Sequence, residues 1–309
     1  MRVIRIGTRG SALALTQTEH IIELATPYSQ DTTFATHVIH TTGDVDLTTP
    51  LSELGGKGVF IRELESALLY GEVDAAMHSL KDVTVALAPG LALCAFLEPE
   101  SRLDALVLAS HLVGPSFENP FDALPYGAVV GTGSLRRKAW LRHIRPDLTI
   151  LPIRGNVDTR LSRLDDDCDA VILSQAGLIR LGLVGPHIIS LSPKLFCPAP
   201  GQGVICVQVR EDDEDMRAVF SAITHPVIQR CAQFEFGILE RLFFNCQIPF
   251  GLLISPTETG YEAITWLSDS TLTSIWKKEC QFAIYDSDIA ITQLGDQIVE
   301  QAKRWGWVA

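Results

Sequence analysis

GTGSLRRKAWLRHIRPDLTILPIRGNVDTRLSR, residues 131–163, decides the fold class because it holds two strand-to-helix junctions in succession. The apolar run that enters it, GAVVGT, reads as a buried strand, and Ser134 is placed to cap a helix starting at Leu135. LTILPI reads as a second strand, with Asn156 or Asp158 as the cap of a second helix. The same window carries eight basic residues (Arg136, Arg137, Lys138, Arg142, Arg145, Arg154, Arg160 and Arg163) against two acids, Asp147 and Asp158, in a chain of net charge -12. Clustered positive charge inside an acidic protein implies a local anion. Two strand ends and two helix N-termini would face one crevice, where free N–H groups and forked guanidinium groups favour carboxylate or phosphate. Arg142, Arg145 and Arg163 read as solvated helix-face residues. Arg136, Arg137, Arg154 and Arg160 read as ligand-binding.

Working outward, the design repeats. The chain opens with the strand VIRIG, a Thr8-Arg9-Gly10-Ser11 turn and the amphipathic helix ALALTQTEHIIELA. VDAAMHS and CDAVILS share a second phrase: an acid, Ala, an apolar run and a closing Ser. Two echoes in the same order predict two similar α/β lobes with mixed, mainly parallel sheets, whose ligands bind beyond the carboxyl ends of the strands. Pro and Gly mark residues 98–127 as one crossing between lobes, and Cys197–Gly203 as another. VICVQVR after the second crossing would return to the first lobe. Helices near 226–243 and 287–304, with strands YEAITWLSD and KKECQFAIYD, form a small α+β C-terminal domain. The expected boundaries are 1–98 with 199–221, then 99–198, then 222–309.

Composition narrows the function classes. The 309 residues are 47% hydrophobic and 20% charged, the balance of a soluble globular protein. Net negative charge argues against nonspecific nucleic-acid binding, and no apolar run is long enough for a membrane span. MRVIRIGTRG begins directly as a strand and reads as neither a signal nor a transit segment. The seven cysteines are scattered, with neither CxxC nor zinc-site spacing, so a reduced cytoplasmic chain without a metal is expected.

Individual residues keep two readings each. Asp82 ends an apolar strand, beside Lys81 and three residues after Ser79. It is either an ion-pair partner or a carboxylate that stabilises a cation or moves protons. His78 reads as a satisfied core histidine. Cys246, in FFNCQIPFG, is either a buried hydrophobe or a thiol presented by the polar Asn-Cys-Gln step, more easily ionised near arginines.

In order, RIGTRGSALAL, GGKGVFIRELE, MHSLKDV, GTGSLRRK, IRGNVDTRL, AGLIRLG, PGQG and NCQIPFG resemble the porphobilinogen deaminase (hydroxymethylbilane synthase) family over residues 3 to 251. The resemblance implies two lobes like type II periplasmic binding proteins, plus a third domain. It implies a transferase that joins four porphobilinogens with release of ammonia, primed by a dipyrromethane cofactor held as a thioether on Cys246. Each pyrrole carries an acetate and a propionate, so the growing chain is a polyanion. Asp82 would stabilise the azafulvenium cation left by ammonia. Motif matching carries cofactor contacts onto Ser79, Lys81, Thr132, Ser134, Arg136, Arg137, Arg154, Gln202 and Gly203. It carries substrate contacts onto Arg9, Ser11, Lys57, Phe60, Arg154 and Arg160. A monomer is expected, with porphobilinogen as its small-molecule partner. Three departures stand out: Phe244-Asn245 where the family has Gly-Gly, Thr84 for Pro, and Gly133 for Ser. The alternatives are a two-lobed anion-binding protein without catalysis and a low-activity paralogue.

Overall fold

The computed structural model describes residues 2–29, 31–45, 58–114, 117–242 and 248–308. In chain order its strands are β1 Arg2–Thr8, β2 Thr32–Val38, β3 Ala75–Ser79, β4 Leu91–Phe96, β5 Asp104–Leu108, β6 Val129–Gly131, β7 Thr149–Leu151, β8 Ala170–Ser174, β9 Ile188–Ser190, β10 Ile205–Arg210, β11 Phe250–Pro256, β12 Gly260–Ser268 and β13 Ile275–Ala283. The helices are α1 Ala12–Ala25, α2 Thr42–Val45, α3 Arg62–Leu69, α4 Leu135–Ile144, α5 Val157–Leu161, α6 Gln175–Arg180, α7 Glu214–Ser221, α8 Pro226–Arg241 and α9 Ser287–Arg304.

The chain divides into two compact units, Met1–Glu100 with Gly203–Arg230, and Ser101–Gln202 with Cys231–Ala309. The first holds a five-stranded sheet in the order β2-β1-β3-β10-β4, and the second a five-stranded sheet in the order β7-β6-β8-β5-β9. In each, the first three strands are parallel and the fourth, β10 or β5, runs against its neighbours. The two sheets therefore share one design, a mainly parallel α/β sheet with a single reversed strand.

The acid that opens each repeated phrase explains why it recurs. Asp74 accepts the backbone N–H of Arg5 at 2.8 Å, and Asp169 accepts that of Val129 at 2.7 Å. Their own N–H groups return to the carbonyls of the same two residues, at 2.8 and 2.9 Å. One carboxylate thus pins the third strand of each sheet, β3 or β8, to the second, β1 or β6, at equivalent points.

Residues 98–127 hold the break between the two units, at Glu100–Ser101, and a strand besides. They contain β5, fully buried within the second sheet and paired to β8 from Asp104 opposite Ser174. DALVL is too short and too evenly apolar for its period to be read. FGLLISP is also a strand, β11, so the C-terminal sheet has three strands, β11-β12-β13. Its Leu253, Ile264 and Trp266, with Leu272 between β12 and β13, lie in one core with Leu106 and Ile172 of the second sheet, Trp140 of α4 and Phe196. Trp140 and Trp266 stack there with centroids 4.9 Å apart. Among the described residues, no helix is long and apolar enough to cross a membrane.

Candidate functional site

In the first unit the carboxyl ends of β1 and β3 lie on one edge, since the two strands are parallel. Arg9 and Ser11 follow β1. Ser11 caps α1 by accepting the Ala14 N–H at 3.3 Å, and the Arg9 guanidinium carbon lies 4.1 Å from the centre of the Phe60 ring. That separation is within cation–π range. Gly43 backs Phe60, and a Cβ on it would fall 2.2 Å from the ring. Ser79, at the end of β3, exchanges a hydrogen bond with buried Gln17 of α1. The turn Leu80–Asp82 follows, anchored by the Leu80 N–H to Val204 O at 2.9 Å, which brings the Gly203-Val204 step to the same edge. Lys81 and Asp82 are both exposed. The loop beyond is braced by the Thr84 hydroxyl, which donates to Ala86 O at 2.8 Å. Lys57 and Cys246, together with Phe244 and Asn245, lie outside the described residues.

In the second unit, Thr132, Ser134 and Arg154 follow the carboxyl ends of parallel β6 and β7. Ser134 caps α4 and Asn156 caps α5, accepting the Arg137 and Thr159 N–H groups. Thr132 Oγ1 accepts the Ser134 N–H at 3.2 Å, and the Arg160 Nε donates to Gly155 O at 2.9 Å. Arg145 is no free surface charge: it clamps Asp147 and the carbonyls of Phe121, Leu124 and Pro125. Arg163, in the turn after α5, pairs with Asp167 four residues on, and Arg142 is exposed.

Arg136 and Arg137 are only 6% and 5% exposed. Arg136 donates to Asp104 Oδ2 and to Cys197 O, both at 2.7 Å. Arg137 donates to Asp104 Oδ1 from Nε at 3.1 Å and from Nη2 at 2.6 Å, and to Ile172 O at 2.7 Å. Asp104 is wholly buried. Burial alone would push its carboxyl upward, but the charges and hydrogen bonds of the two arginines outweigh that and hold it below the usual carboxylate range. Two guanidinium groups on one carboxylate leave the cluster net positive.

Asp104 is the member of this cluster that sequence reasoning missed. Its signal was present, because Asp104-Ala105 opens an apolar run as Asp74-Ala75 and Asp169-Ala170 do. Gln202 joins the same cluster, its Nε2 donating to Asp104 Oδ1 and to Arg102 O, both at 3.1 Å. The Gln202 Oε1 is buried without a partner among the described residues. Arg102 extends the network to buried Glu235 at 2.7 Å, which also accepts the N–H groups of Gly201 and Ile254.

The family model described as porphobilinogen deaminase, dipyromethane cofactor binding domain, matches residues 4–218. A porphobilinogen deaminase of Nitratidesulfovibrio vulgaris strain Hildenborough is 43% identical over 251 residues, 81% of this chain and 78% of that one. One from Natranaerobius thermophilus is 33% identical over 300 residues, 96% of this chain and 94% of that one. Among solved structures, the methionine-binding protein MetQ is 14% identical, with a TM-score of 0.42, covering 76% of this chain and 95% of that one.

Proposed function

The chain belongs to the porphobilinogen deaminase family, and from that premise we propose how its residues divide the work. The activity is that of a hydroxymethylbilane synthase, a transferase of tetrapyrrole biosynthesis. Four porphobilinogen molecules are joined head to tail with release of ammonia, and water frees the linear product. The dipyrromethane cofactor, when bound, supplies the pyrrole carbon that starts the chain.

The residues present fit that group. A buried acceptor without a donor is costly, and a pyrrole N–H is a donor of the right kind for Gln202 Oε1. The net positive Asp104–Arg136–Arg137 cluster, with Thr132, Ser134 and Arg154 at the same strand ends, suits the acetate and propionate groups. Ser79, Lys81 and Gly203 complete the cofactor set.

Cys246 would carry the thioether. Burial pushes the thiols of Cys94 and Cys231 up to about 12 and raises those of Cys168, Cys197, Cys206 and Cys280, so each is held in its less nucleophilic form. That leaves the polar 245–247 step as the best place for a reactive sulfur.

Asp82 is the group that stabilises the cation formed as ammonia leaves the substrate, and it orients the pyrrole N–H. Arg9, Ser11, Lys57, Arg154 and Arg160 hold the substrate carboxylates, and Phe60 packs beside the reacting ring. In this reading the protein is a cytoplasmic monomer of three domains, 1–98 with 199–221, 99–198, and 222–309, and takes no nucleic acid.

The observation that carries the reading is the exposed Asp82 carboxylate at the end of β3, on the edge that also presents Arg9 and Ser11. Protein purified from a haem-making cell is expected to exceed its sequence mass by two pyrrole units and to consume porphobilinogen with release of ammonia. Cys246→Ser should lack the added mass, and Asp82→Asn should lose roughly 100- to 1,000-fold in turnover. Porphobilinogen that binds and is never consumed would leave only an anion-binding protein.

A further inference from the structure

His78 lies on β3 one residue before its end at Ser79 and is 4% exposed. Its Nε2 lies 3.0 Å from Oε1 of Gln208 on β10, which is wholly buried. Gln208 Nε2 in turn donates to Oε1 of Glu65 on α3 at 2.9 Å. Glu65 Oε1 also receives the Ala88 N–H, at 3.3 Å. The register explains the meeting. Gln208 pairs with Ala76, two residues before His78, so both side chains stand on the face that α3 covers.

The chemistry of this chain has one direction. An ionised carboxylate only accepts, so Gln208 must turn its amide N–H₂ to Glu65 and its oxygen to His78. His78 must then carry its proton on Nε2. Burial drives the imidazole down to about 4, against the opposing pull of the Gln208 bond and the Asp82 charge, while Arg9 lowers it further. The charged groups felt at this ring are therefore those of the candidate site itself.

We infer that Glu65, Gln208 and His78 form a buried positioning relay that holds the end of β3 and fixes the imidazole beside the Asp82 loop as the Nε2–H tautomer. An imidazolium there would offer Asp82 a permanent counter-ion in competition with the cation that the substrate becomes. The inference rests on the role given to Asp82 above. Gln17, bonded to Ser79 from α1, braces the same strand end from another element.

The test has two parts. Long-range ¹H–¹⁵N correlation of the holoenzyme at pH 7, with His78→Gln for assignment, should show His78 neutral with its proton on Nε2. A charged ring or a proton on Nδ1 overturns the relay. The second part exchanges the two relay residues, Glu65→Gln together with Gln208→Glu. Net charge and the number of hydrogen bonds are kept, but the carboxylate now faces His78. His78 should become an imidazolium, and kcat should fall about tenfold, less than the ~100-fold that a displaced reacting group can cost. KM should stay within about twofold, and kcat should recover as the pH is raised through the new histidine pKa. Full activity with a charged His78 would overturn the proposal while leaving the role of Asp82 intact. Full activity of Asp82→Asn would instead remove the premise.

Discussion

Gly133 has no room for a side chain, because a Cβ there would lie 2.6 Å from the Ile153 carbonyl oxygen. The departure from Ser was visible in the sequence. Its consequence was not, since the contact comes from a strand end twenty residues away. The segment before Arg154 has closed onto the space that a side chain would take. Gly133→Ser should therefore lose about 1–3 kcal/mol of stability rather than regain a lost contact. Calorimetry would show this as a lower Tm, and an unchanged Tm would mean that the 153–155 backbone yields freely. Thr84 is the opposite case. Losing the ring of proline frees the backbone, yet the hydroxyl bond to Ala86 O closes the turn by another route.

At the scale of the element, helix caps were the most legible feature. Ser134 and Asn156 each accept an N–H in the first turn, as a short polar side chain before an apolar period predicts, and Ser11, read only as part of a turn, does the same. What the arginines of α4 face was not legible, because their partner sits on β5, in a run too short to identify. Removing that partner should be severe. Asp104→Ala strands two buried guanidinium groups, and about 3–5 kcal/mol of stability should be lost in urea unfolding. The pH dependence follows from the direction of the shift. Asp104 is held low in the folded protein, so its contribution is complete above the unfolded value of about 3.9. It disappears as the pH falls through the lower folded value. Asp104→Asn should accordingly be less stable at neutral pH and flatter in acid than the parent, a comparison that urea midpoints across the acid range would settle.

On the scale of the whole molecule, the duplication was legible from two short phrases, and the structure gives it a cause in the paired carboxylates of Asp74 and Asp169. The packing of the C-terminal sheet was not legible. Its strands read as a small domain, and nothing in them said that Trp266 would be wholly buried in a core built mostly from residues 106–196. Trp266→Ala should cost about 3–5 kcal/mol. Hydrogen exchange should report the loss in β5, β6 and β8 as well as in β11 and β12. Loosening confined to the C-terminal sheet would count against a common core.

The position of β10 has a consequence for synthesis. It stands between β3 and β4, yet it follows β4 in the chain by more than a hundred residues. A ribosome that has released the first hundred residues has made a sheet with a slot in it, and β4 has nothing to lie against until residue 210 clears the exit tunnel. The whole of β5 to β9 must emerge in the meantime. The nascent N-terminal segment therefore spends much of translation with two open strand edges, the condition under which chains pair wrongly with one another.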